Sequence, residues 1–109
     1  MEVERLSTDE WRERLDGLYP HGVHVIPEQE DLMDFNMVDL EVEDHNGVAV
    51  VRGWKTSTQA RYFWLDKTVD EGNGNLRVTS EKKKYLFRYL DEKVGSNLSK
   101  SMEEVSLWR

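Results

Sequence analysis

Asp39, Glu41 and Glu43 alternate with Val38, Leu40 and Val42. On an extended strand, alternate residues share one face at a spacing of ~6.6–6.8 Å. A row of carboxylates so spaced suits three kinds of chemistry. Two of them could share acid–base work or hold a divalent ion. The row could imitate a nucleic-acid backbone, whose axial rise is ~3.4 Å per nucleotide and whose strand also winds. Or it is a solvated strand face. Glu28, Glu30, Asp31 and Asp34 lie upstream and Asp44 follows, so all of them count as candidate contacts for a basic partner.

Catalysis meets a shortage of partners for these carboxylates. A restriction-type nuclease needs an Asp followed by Glu-x-Lys on a hairpin, whereas the return strand offers Arg52 and Lys55 at other spacings. No nucleophile stands beside a histidine, and no set of catalytic roles can be completed. His21 and His24, with Glu28, Glu30 and Asp31 nearby, have metal-ligand types, but on a strand the two imidazoles point to opposite faces. No catalytic residue, metal or cofactor is therefore assigned. The absence of cysteine removes disulfides, thiolate metal sites and Cys nucleophiles.

The charge is split along the chain. Residues 15–51 contain nine acidic side chains and no Lys or Arg, while residues 52–109 contain twelve basic and eight acidic ones. Ordinary surfaces intersperse the two signs. The net charge of -7 favours basic partners over nucleic acid. Against this, Lys82, Lys83 and Lys84 precede Tyr85, Arg88 and Tyr89, which is a minor basic and aromatic cluster of the type that stacks bases. The opening MEVERLSTDEWRERL has no apolar signal-peptide core, and no apolar run approaches the ~20 residues of a membrane span. With no cysteines, the expected compartment is the cytoplasm.

The elements that must position these residues are marked locally. Ser7 and Glu10 form a capping box, with Leu6 and Trp11 at staple positions, and Trp11, Leu15 and Leu18 make one stripe. Val23–Ile26 reads as a strand that Pro27 ends or confines to a sheet edge, followed by an acidic loop or short helical turn over 28–36. Asn46-Gly47 marks a two-residue hairpin that sets Val42 opposite Val51 and Glu41 opposite Arg52. Ala60–Leu65 is a third strand, residues 66–75 a loop or hairpin tip and Leu76–Val78 a short fourth strand. A second helix is predicted from Thr79 or Ser80 to about Val94 with Gly95 as its C-cap, and a final strand is favoured over a helix for the C-terminal tail. Trp11 and Trp64 are expected in the core. Trp54 and Trp108 are expected on the carboxylate face, where an aromatic beside charge would mark an interface.

The expected fold is one α+β domain over 1–109, with a three- to five-stranded, mainly antiparallel sheet and two or three helices packed on one face. The expected function is a non-enzymatic acidic interaction protein. Its binding residues are Glu28, Glu30, Asp31, Asp34, Asp39, Glu41, Glu43, Asp44 and Trp54, and its partner a basic, nucleic-acid-binding protein. The sharper form is an inhibitor, of the kind phages encode, that occupies a basic groove by nucleic-acid mimicry. The alternatives are an assembly protein that self-associates, and a small nucleic-acid-binding module using the basic second helix. The oligomeric state and the partner's identity stay open.

Overall fold

The computed structural model describes residues 3–107. The chain runs β1 (Val3–Glu4), α1 (Thr8–Leu18), β2 (Val23–Pro27), β3 (Phe35–His45), β4 (Val48–Thr56), β5 (Gln59–Trp64), β6 (Thr68–Gly72), β7 (Asn75–Ser80), β8 (Lys83–Tyr89) and α2 (Glu92–Leu107). All strands join one antiparallel sheet in the order β1-β6-β7-β8-β2-β3-β4-β5. β1 is only a two-residue pairing at the edge. β2 is the seam between two meanders, β3-β4-β5 on one side and β6-β7-β8 on the other.

The sheet curls strongly. Phe63 on β5 lies edge-on to Phe87 and Tyr85 of β8, with ring centroids 5.2 and 4.8 Å away. The Trp64 backbone N–H donates to the buried Ser80 hydroxyl of β7 at 3.0 Å. The inner face so enclosed carries Val23, Val25, Met37, Val42, Val51, Phe63, Leu76, Val78 and Phe87. α1 fills part of it with Trp11, Leu15 and the following Tyr19. Burying each such side chain contributes about 1.5–3 kcal/mol. The capping box starts α1 as its sequence implies: Ser7 Oγ accepts from the Glu10 N–H, and the Glu10 carboxylate accepts from the Ser7 N–H. These bonds hold the Glu10 carboxyl below its ordinary range.

The expectation of three to five strands with helices layered on one face is overturned. Seven strands of five residues or more, plus β1, make the sheet. The two helices do not share a layer: α1 enters the central core, and no described residue of α2 does.

Three segments explain the miscount. Residues 66–75 contain β6, paired with β7. The segment expected as a second helix instead supplies the turn and the second strand of the β7–β8 hairpin, with Glu81 and Lys82 at φ of 51° and 68° in the turn. Tyr85 and Phe87 then alternate onto the inner side, because Val78 and Leu76 stand opposite them on β7. The tail expected as a strand is α2, and Trp108 lies outside the described residues. Gly95 is no C-cap: it lies in the first turns of α2, its N–H bonded to the Asp91 carbonyl at 2.9 Å. A Cβ there would collide with the His21 carbonyl, so glycine lets α2 rest on that backbone.

A bulge in β3 controls where the carboxylates go. Val38 pairs with Trp54 and Glu41 with Arg52, so Asp39 and Leu40 together oppose Gly53 alone. Asp39 adopts φ 54° to accommodate the extra residue. The alternation is thereby reset. Val42 faces the core, Val38 lies buried outside the central cluster, and Met37 and Leu40 both converge on Gly53.

Candidate interaction face

The outer face of β3, β4 and β5 is built from paired rows. Glu41 stands opposite Arg52, and Arg52 opposite Tyr62. Glu43 stands opposite Val50, and Val50 opposite Trp64. Trp54 follows on β4 opposite Ala60. β-branched and aromatic residues suit these pleated positions, and the hairpin turn at Asn46-Gly47 (φ 54° and 86°) fixes their register.

Arg52 is the hub. Its guanidinium bonds the Glu41 carboxylate and lies 3.1 Å from Glu43 Oε1. It also stands 6.0 Å from the Trp54 ring centroid. On the far side of Glu43, His45 Nε2 is 3.1 Å from Oε2, and the His45 ring meets Trp64 edge-on at 5.7 Å. Val50 lies at 1% exposure beneath this layer, while Tyr62 is 53% exposed. Ion pairs with an exposed partner such as Glu41 contribute about 0.2–1 kcal/mol each. Two carboxylates share one guanidinium, so the array keeps unspent negative charge beside three large aromatics.

The nine residues expected to form one acidic surface are divided among several places. Glu41, Glu43 and Trp54 share the face just described. Asp39 is turned by the bulge into a cleft of about 460 Å3 between the end of α1, Pro20–Gly22 and the start of α2, whose other charged lining residues include Asp16 and Glu92. Asp44 accepts from Thr8 Oγ1 at 3.3 Å, next to the α1 cap. Glu28 is bonded to Arg77, which also holds Glu71. Asp34 lies 3.3 Å from His24 Nε2, whose Nδ1 is 2.7 Å from Asn36 Oδ1. Glu30 and Asp31 are exposed in the β2–β3 turn. The even ladder from Asp39 to Glu43 does not form, because the bulge removes Asp39 from the row and Arg52 pairs the other two.

Tyr62, Trp64 and His45 complete the face, and no expectation from the sequence places them on it. Trp64, expected in the core, is half-buried on this outer side because it stands opposite Val50. Extending the Asn46-Gly47 register across Ser57-Thr58, the turn joining Thr56 to Gln59, would set Tyr62 opposite Gly53 on the inner side; the register shift between Trp54 and Thr56 brings Tyr62 opposite Arg52 and Trp64 opposite Val50 instead. His21 and His24 do not converge: His21 lies edge-on to Tyr89 at 6.5 Å, and His24 sits between Asp34 and Asn36. No described helix is long and apolar enough to cross a membrane. Comparison with family models, with curated proteins and with solved structures gives no match.

Proposed function

We propose that the protein is a non-enzymatic binding module that docks a protein partner on the outer face of β3, β4 and β5. The observation that carries this reading is the grouping of Trp54, Tyr62 and Trp64 around Arg52, Glu41 and Glu43 on one sheet face. Tyr, Trp and Arg dominate interface hot spots, because they pair large apolar area with directional polar groups. The partner offers Lys or Arg side chains to Glu41 and Glu43 and apolar surface to the aromatics. The acidic balance of the chain steers that basic partner, so association weakens with salt. Mimicry of a nucleic-acid backbone is the less favoured mechanism, since it needs an evenly spaced row of free carboxylates.

Affinity capture from lysate at low and high salt tests the proposal. A specific partner is retained by the wild type and lost with Tyr62→Ala plus Trp54→Ala, and with Glu41→Lys. It survives the reversal of Glu30 and Asp31, which lie elsewhere. Loss with Glu41→Lys and with the Glu30 and Asp31 reversals alike, with capture kept by Tyr62→Ala plus Trp54→Ala, would mean that bulk charge alone drives capture.

A further inference from the structure

α1 fills the curled sheet only in part. The inward positions beyond it carry Phe35 on β3, Lys55 on β4, Arg61 and Phe63 on β5, and Tyr85 on β8, and they line an open cleft of about 280 Å3. The mouth of a curled sheet is a frequent ligand site. Its walls are flat and aromatic. Phe35 stacks near Phe63 with centroids 6.5 Å apart and planes at 22°, and Tyr85 stands edge-on to Phe63. Leu32 and Met33 of the β2–β3 turn extend the apolar rim, with Met33 87% exposed.

Two cations converge on this apolar floor. Lys55 Nζ lies 5.1 Å from the centre of the Phe35 ring. Neither Lys55 nor Arg61 has an ion-pair partner among the described residues. Burial and then the nearby Glu81 push the Tyr85 hydroxyl up, and Arg61 opposes them, so this hydroxyl stays a neutral donor. A water's share of liquid volume is about 30 Å3, so the cleft suits a ligand of one or two rings.

We propose that this cleft binds a small planar aromatic carboxylate, with its ring against Phe35, Phe63 and Tyr85 and its carboxylate on Lys55 and Arg61. The flat walls select a ring over a branched aliphatic body, which cannot stack on them. The two cations select an anion over its neutral analogue, because charge-assisted bonds to Lys and Arg are lost when the carboxylate becomes an amide. The site opens on the inner side of β4 and β5, away from the Tyr62 and Trp54 face, so the two readings fail independently.

The test is a nitrogen-15 NMR titration of the full chain with 1-naphthoate, 1-naphthamide and cyclohexanecarboxylate. Saturable shifts at the amides of Phe35, Phe63 and Tyr85 are expected with 1-naphthoate. Binding of the other two probes should be weaker by about tenfold or more, as should binding of 1-naphthoate to Lys55→Glu plus Arg61→Glu. If the double reversal does not fold, Lys55→Gln keeps the test readable. The absence of saturable shifts, shifts centred elsewhere, or equal binding of the neutral amide would overturn the proposal.

Discussion

Gly53 stands opposite the Asp39 bulge, and the space where its side chain would lie is taken by Met37 and Leu40. A Cβ at Gly53 would come within 2.8 Å of Met37 Cβ and 2.9 Å of Leu40 Cδ2. Met37 is fully buried, so its Cβ has little room to give. Gly53→Ala is therefore expected to destabilise the fold by about 1–3 kcal/mol through overpacking. Urea unfolding of the variant checks this, and an unchanged midpoint would show that the bulge can relax.

Gly95→Ala should also destabilise, against the usual rule. In an exposed helix, replacing glycine by alanine gains about 1 kcal/mol. Here the added methyl meets the His21 carbonyl, which is backbone and cannot swing aside. Loosening should be confined to α2 and appear as faster hydrogen exchange over its first turns. Ser96→Ala, at an exposed neighbouring position, is the control and should leave exchange unchanged or slower.

Alkaline stability should depend on Tyr19. Its single O–H lies between the carbonyl oxygens of Gly74 and Phe87, at 2.8 and 3.1 Å, and is shared by them. Burial, reinforced by Asp70, pushes its ionisation well above the ordinary tyrosine value of 10.0. A raised value in the folded state means that the associated stability is complete below pH 10 and is lost as pH rises beyond it. Tyr19→Phe should cost about 0.5–1.5 kcal/mol at neutral pH, where it removes the hydroxyl's hydrogen bond to these carbonyls. The gap between wild type and variant should narrow above pH 10, as read from denaturant midpoints across pH. A constant gap would assign the alkaline loss to other groups.

Arg52→Gln should lower stability by only about 0.2–1 kcal/mol for each ion pair lost at this exposed face. It leaves Glu41 and Glu43 facing each other without their shared cation. Salt screens that repulsion, so the deficit measured by urea unfolding should shrink at high ionic strength. A deficit insensitive to salt would mean that Arg52 acts mainly by packing on Trp54.

What could be read from sequence was what nearby residues decide. The Ser7–Glu10 capping box and the Asn46-Gly47 turn each use a residue type with a strong local preference, and both the helix start and the Glu41–Arg52 pairing follow. β8 reads as helix because Tyr85 and Tyr89 fit a helical repeat as well as an alternating one. What decides for the strand is the pairing with β2 and β7, which is not local. The turn before it gives little warning, since Glu and Lys rarely take positive φ. α2 was hidden by Gly95, which reads as a helix stop unless the approach to His21 is known. The candidate face was half legible. Glu41, Glu43, Arg52 and Trp54 follow from one hairpin, but Tyr62 and Trp64 need the next turn and its register shift as well. The loss of Asp39 from the row depends on a bulge with no composition signal.

The place of β2 in the sheet bears on how the chain reaches this structure. Each flanking meander closes through tight turns between neighbouring strands, and such hairpins form in microseconds. The β2–β8 contact instead joins Val23–Pro27 to Lys83–Tyr89, segments separated by β3 to β7, so its loop-closure entropy must be met before any pairing energy returns. High contact order of this kind slows the search. The seam is thus the expected kinetic bottleneck, and until it zips, the facing edges of β2 and β8 stay open to the wrong strands.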